Sequence, residues 1–245
     1  YLSVKGQSKG KLFFSHAKRN ISYLVSCLGS RPLDCYSTAD AAEFRQWLVH
    51  KGLSSASLQR IFGVVKAVVN FSIKEQGLDC KNAFAGVYLP SEVNKKRLPI
   101  KEAKLKQLQK ECIHLDDDIR WLVALISDTG MRLSEAVGLL VDDLVIDAQR
   151  PYVNLIAHPH RRLKTDSSER VIPLVGSSLW AAQRIKQTQN SSFCFERYCD
   201  THNCNSNSAS AAINKWIKTI AGTEAVIHGF RHGFRDRLRA VEAPI

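Results

Sequence analysis

Arg132 follows a glycine within Asp128-Thr129-Gly130-Met131-Arg132-Leu133-Ser134-Glu135-Ala136. Upstream, Ile119, Leu122, Val123 and Ile126 repeat at helical spacing behind Asp116 to Asp118, carboxylates that suit the positive end of a helix. Gly130 tolerates left-handed backbone, so it is predicted to end that helix. Downstream, Leu133, Ala136, Val137 and Leu140 repeat the spacing, and a second helix is predicted to start at once. Arg132 then stands at a helix start, where unpaired amides and a forked guanidinium together suit the oxygens of a phosphate. The structural alternative is an arginine that snorkels from a helical hairpin or pairs with Glu135.

Two later stretches carry similar chemistry. His158-Pro159-His160-Arg161-Arg162-Leu163-Lys164-Thr165 leads a basic segment that continues to Arg170. It reads either as a hairpin tip that reaches a nucleic-acid groove or as a solvated loop. In His228-Gly229-Phe230-Arg231-His232-Gly233-Phe234-Arg235, helical spacing puts His228, Arg231 and Arg235 on one face, a titratable imidazole beside permanent charges. Alone, that face also reads as a basic surface helix.

The elements that position these groups follow from patterning. Leu144 and Ile146, then Tyr152, Val153, Leu155 and Ile156, then Val171, Ile172 and Leu174 form three strand candidates, read as a small antiparallel sheet. A helix is predicted from Ile100 to about Cys112, others over about 177–189 and 208–221, and a last one from near His228. In the first half, periodicity begins only at Ile21 after a short basic entry segment. Ser37 and Asp40 resemble a capping box ahead of Phe44, Trp47 and Leu48. The clearest helix carries Leu58, Ile61, Phe62, Val65, Val68 and Val69, with Arg60 and Lys66 outward as DNA-contact candidates or as part of a solvated face. Proline-bounded, basic residues from Leu89 to Pro99 read as a linker. The predicted organisation is a helical domain over 1–92, a linker over 93–99 and a second domain over 100–245, mainly α with a small antiparallel sheet.

The chain of 245 residues has a formal charge of +12, which favours a polyanionic partner. There are 13 basic against 6 acidic residues up to Lys95 and 22 against 17 after it, so both halves are basic. No apolar run suits a membrane span, and the start lacks a signal-peptide layout, so a cytoplasmic protein without a membrane partner is expected. Seven cysteines at irregular spacing read as reduced thiols. Cys194, Cys199, His202 and Cys204 match no common zinc spacing, and neither metal nor cofactor is expected.

Taken together, Thr129-Gly130-Met131-Arg132-Leu133-Ser134-Glu135-Ala136, then Lys164-Thr165 with Ser168, Arg170 and Val171-Ile172-Pro173-Leu174, then His228-Gly229-Phe230-Arg231-His232, resemble in order the motifs of the tyrosine recombinases, the phage integrase family. Leu53-Ser54 through Asn82, Phe84-Ala85-Gly86-Val87 and Leu89-Pro90 resemble that family's helical core-binding domain. The resemblance implies a mixed α/β catalytic domain that closes with the core-binding domain around double-stranded DNA. It implies strand cleavage and rejoining through a 3′-phosphotyrosyl link, with homotetramers on paired sites. Arg132, Lys164, His228 and Arg231 take the catalytic positions, with Glu135 and His232 supporting; Arg60, Lys66, Arg161, Arg162 and Thr165 are DNA-contact candidates.

One departure is large. The family pattern places its tyrosine after the histidine-and-arginine box, whereas the tyrosines here are at 1, 23, 36, 88, 152 and 198. The expectation is a chain cut before its nucleophile, monomeric without DNA, which binds DNA and does not cleave it. The alternative is a non-catalytic DNA-binding protein or regulator that keeps the integrase fold. A metal-dependent nuclease built on Asp116 to Asp118 and a type IB topoisomerase are the lesser rivals.

Overall fold

A computed structural model of the chain describes residues 1–91, 98–188 and 190–243, the side chain of Asp166 excepted. Its contacts gather into two compact units, Tyr1–Lys95 and Lys96–Ile245. The linker expected over 93–99 falls mostly on residues that lie outside the described ones.

The first unit holds helices α1 (Leu2–Lys5), α2 (Lys11–Leu28), α3 (Thr38–His50) and α4 (Ser55–Gln76). Helix α3 starts on the expected capping box: Asp40 donates its amide to Ser37 Oγ at 3.2 Å, and Ser37 donates its own to Asp40 Oδ2 at 2.8 Å. Helix α4 stops at Gly77, whose φ of 61° is left-handed. Phe44, Leu48, Leu58, Phe62 and Val65 fill the core, with Phe44 and Phe62 centroids 5.4 Å apart. Helix α2 starts well before Ile21. The face it buries opens with Ala17 and Asn20, one small and one polar, so no apolar period announces it.

The second unit runs α5 (Glu102–Leu115), α6 (Asp118–Thr129), α7 (Leu133–Val137), β1 (Leu144–Val145), β2 (Tyr152–Leu155), β3 (Arg170–Pro173), α8 (Gly176–Thr188), α9 (Ser206–Ala221) and α10 (His228–Ala240). The strands form one antiparallel sheet in the order β1-β2-β3, with Leu144 opposite Val153 and Leu155 opposite Arg170. Helix α6 is buried at every position from Trp121 to Ser127, as befits a helix that α5, α8, α9 and α10 surround. Its Leu122, Val123, Leu125 and Ile126 are at most 1% exposed. At about 1.5–3 kcal/mol each, their burial outweighs any difference in helix propensity along this stretch.

Two expectations change. Helix α7 ends at Gly138 instead of running on to Leu140, because the next backbone groups bond outside the helix: Leu139 O accepts from the Cys194 amide at 3.0 Å and Leu140 donates its amide to Asp143 Oδ2 at 3.0 Å. The cysteines are not all reduced thiols: a turn in which Asp200 donates its amide to Asn203 O brings Cys199 and Cys204 to a Cα separation of 4.3 Å, where they form a disulfide. The three consecutive aspartates point apart, as consecutive residues at a helix start are expected to. Asp116 pairs with Arg184 at 2.8 Å and accepts from Trp121 Nε1 at 2.7 Å, Asp117 caps α6 and pairs with Arg120, and Asp118 turns to the amide of Ile119.

Candidate active site

Gly130 begins the site. Its φ is 60°, and a Cβ there would come within 2.5 Å of the Phe234 ring on α10. The glycine therefore serves both the left-handed turn and the close approach of a helix from the far end of the unit. One turn before Phe234, Arg231 donates from Nη1 to Gly130 O at 2.6 Å. Further along α10, Arg237 reaches Asp128 Oδ1 at 3.1 Å and Ser127 O at 2.5 Å. Helix α10 is thus hydrogen-bonded to the end of α6 and the turn after it at two points.

Arg132 is the N-cap of α7, and its amide is not open as a helix start would leave it: the pairing with Glu135 that stood as the alternative is present. Glu135 Oε2 accepts the Arg132 amide at 2.9 Å, and Oε1 accepts from Arg132 Nη1 at 2.5 Å. The amide is therefore spent within the protein, and the guanidinium is what remains to meet a ligand; its side chain is 32% exposed. Glu135 Oε2 also accepts from Arg170 Nη2 at 2.9 Å. Arg170 opens β3 and is another half-open arginine.

The charges explain the ionisation of the cluster. Burial works against the Glu135 carboxylate, yet the Arg170 side chain and the backbone and side chain of Arg132 outweigh it and hold its pKa below the ordinary value. Arg231 is pushed down, first by burial and then by the charge of Arg132, with Arg170 and Arg235 adding to it and Glu135 opposing. Arg132 and Arg170 thus share one carboxylate, Arg231 stands within reach of their charges on the Gly130 carbonyl, and the three leave an excess of positive charge in a half-buried place. A tetrahedral oxyanion is the natural complement of such a site.

Lys164 lies in the β2–β3 connection and is exposed. Thr165 next to it shares its hydroxyl with Ser168 Oγ at 2.9 Å and Ser167 Oγ at 3.1 Å. His228 and His232 stand one turn apart at the start of α10, half-buried, with ring centroids 4.8 Å apart. The structure therefore brings Arg132, Glu135 and Arg231 together, with Lys164 on a neighbouring loop and the two histidines on the helix that carries Arg231.

The DNA-contact candidates divide. Arg162 is exposed in the second unit. In the first, Arg60 is exposed along a cleft of about 560 Å³ that His16, Arg19 and Asn20 also line, while Lys66 is half-buried. Arg161 is not presented to a partner. It is 3% exposed, donates to Glu135 O at 2.8 Å and to Ile156 O, and lies 3.9 Å from Asp143, which also accepts from or shares a proton with His158 Nε2 at 2.9 Å. Its place is beneath α7. Sequence reasoning named Arg170 within the lysine-hairpin motif but gave it no role in the site: as one residue of a short strand it gives no hint of which carboxylate its guanidinium will meet.

Comparison with known proteins follows the same lines. The phage integrase family model matches residues 99–245. The tyrosine recombinase XerC of Chromobacterium violaceum is 26% identical over 213 residues, which are 82% of this chain and 67% of that protein. Among solved structures, the Tn1549 transposon integrase in complex with transposon right end DNA matches 99% of this chain and 85% of its own, with a TM-score of 0.73 and 19% identity. A lambda integrase dimer bound to a COC' core site matches 98% of this chain and 87% of its own, with a TM-score of 0.74 and 15% identity. At these identities the structural likeness is one of fold.

Proposed function

The chain belongs to the phage integrase family, and from that premise we propose that it is the core-binding and catalytic part of a site-specific DNA recombinase. In this reading the unit before the linker grips duplex DNA through Arg60 and Lys66, and the second unit through Arg162 and Thr165. Arg132 and Arg231 neutralise the non-bridging oxygens of the scissile phosphate. Removing one such preorganised donor typically costs about 10² to 10³ in rate. Lys164 protonates the departing 5′ oxygen, and His228, with His232 beside it, moves the proton of the attacking hydroxyl. Glu135 orients Arg132 and does not react.

The observation that carries this reading is the Glu135 carboxylate shared by Arg132 and Arg170, with Arg231 held beside them on Gly130 O, since a phosphodiester passing to a pentacoordinate state needs converging positive charge. The tyrosine nucleophile is the part that the residues present do not provide. All six tyrosines precede His228, and the Tyr198 hydroxyl is raised by burial, which is opposite to what an attacking phenolate needs. This chain is therefore expected to bind DNA without forming a covalent link, as a non-catalytic DNA-binding relative also would.

Selection from a randomised duplex pool tests the binding. Enrichment of one site, with affinity that falls steeply as salt rises, is the expected result. Binding that never exceeds that of random duplex would remove site-specific recombination from consideration. Incubating the selected site, made with a sulfur-bridged leaving group, should give no protein–DNA adduct, and an adduct mapped to any of the six tyrosines would overturn the assignment of the nucleophile.

A further inference from the structure

We propose that Arg170 is a positioning residue: it ties the loop that carries Lys164 to the arginine cluster, and so determines proton delivery to the leaving 5′ oxygen. This rests on the function proposed above. Arg170 sits opposite Leu155, at the mouth of the β2–β3 connection. Its guanidinium forks between two elements, Nη2 to Glu135 Oε2 at 2.9 Å on α7 and Nη1 to Ser168 O at 2.7 Å on the loop. Ser168 is 5% exposed, donates its amide to Thr165 O at 2.9 Å and meets Thr165 Oγ1 with its own hydroxyl. Thr165 adjoins Lys164. From the carboxylate that holds Arg132 to the residue beside Lys164, every link is a hydrogen bond.

Other ties act elsewhere on the connection. Ala157 donates its amide to Glu169 Oε1 at 3.0 Å, His158 and Arg161 exchange backbone hydrogen bonds, and before Lys164 the Arg161 side chain donates to Glu135 O at 2.8 Å. On the side of the connection that follows Lys164, the stretch from Thr165 to Ser168 is tied to the Glu135 carboxylate through Arg170. A lysine at position 170 has a single ammonium and cannot reproduce the planar fork that spans Ser168 O and Glu135. Arg170 thus acts on the reaction through where Lys164 is held.

Cleavage with hydrogen peroxide as the attacking group isolates this role, because it needs no tyrosine. A peroxide oxygen bonds to phosphorus, its proton passing to solvent base, and the bond from phosphorus to the 5′ oxygen breaks. That oxygen takes a proton from the Lys164 ammonium. With sulfur in the bridging position the leaving group departs as a thiolate and needs no proton. The substrate is the duplex that this chain selects from a randomised pool, synthesised with bridging oxygen or bridging sulfur at successive phosphates.

We expect R170Q and R170K to slow cleavage of the oxygen-bridged duplex at least tenfold more than that of the sulfur-bridged one. K164M should show the same selectivity, since a positioned general acid is typically worth about 10² to 10⁴. Adding R170Q to K164M should slow the oxygen-bridged reaction by less than about threefold further, the non-additivity of residues that act as a unit. Equal losses by R170Q on both duplexes, or its full loss repeated in the K164M background, would overturn the proposal. If R170Q fails to fold in a urea titration, R170K decides alone on the same ratio. A wild-type chain that cleaves neither duplex instead sinks the proposed function, and this inference with it.

Discussion

Glu135 keeps its charge where burial by itself would remove it. Its folded pKa lies below the ordinary 4.5 because Arg170 and Arg132 overcome desolvation. The stability it contributes is therefore fully present above the unfolded value and is lost as pH falls through the folded one. E135Q should cost about 1.5–3 kcal/mol at pH 7, the range for hydrogen bonds to charged groups, and should flatten the acid limb of a urea-midpoint profile below pH 4.5. An unchanged acid limb would mean that another carboxylate governs it. At this scale the sequence was legible where a motif fixed the spacing: Gly130, Arg132 and Glu135, or His228 and Arg231. It was not legible in the basic loop, where Arg161 and Arg162 are neighbours of one type. The first turns inward beneath α7 and the second is exposed, a choice made by tertiary packing around Gly138.

Among the elements, the contact of α10 with the turn after α6 depends on one missing methyl group. G130A adds a Cβ at a φ of 60° and 2.5 Å from the Phe234 ring. The backbone strain costs about 1 kcal/mol and the overlap about 1–3 kcal/mol. F234A should restore the second part and leave the first, which two urea titrations would reveal; no rescue would mean that α10 had moved away altogether. Helix α3 gives a second case. Asp40 is lowered to about 2 by its hydrogen bonds from the Ser37 side chain and backbone and from Arg31. Its capping contribution is thus complete above pH 3.8 and disappears as pH falls toward 2. The D40N variant should lose that dependence in an amide-exchange profile of the first turn of α3. Elements with an apolar period or a cap were readable from sequence, as α3, α4 and α6 were. Helix α2 was partly hidden because it buries Ala17 and Asn20, and α7 was overextended because Leu140 packs against the core from beyond the helix, where its backbone bridges to Phe193.

For the whole molecule, the charge of +12 is divided between two units that are each basic, and both are expected to contribute counterion release on DNA. Each phosphate contact adds about 0.9 to the slope of log affinity against log salt. R60A in the first unit and R162A in the second should each lower that slope by about 1, and the double variant by about 2. A slope that only one of them changes would confine DNA binding to one unit. The core has a consequence of its own. The glycine turn, the Arg132 cap and both Arg237 hydrogen bonds grow directly out of the end of α6, whose side chains from Trp121 to Ser127 are all buried. Amides in that helix should exchange with deuterium only when the entire second unit opens, at its global unfolding free energy. The arginine cluster then shares that cooperative unit: it cannot loosen by itself, and solvent exchange measured at Leu125 would report on the lifetime of the site.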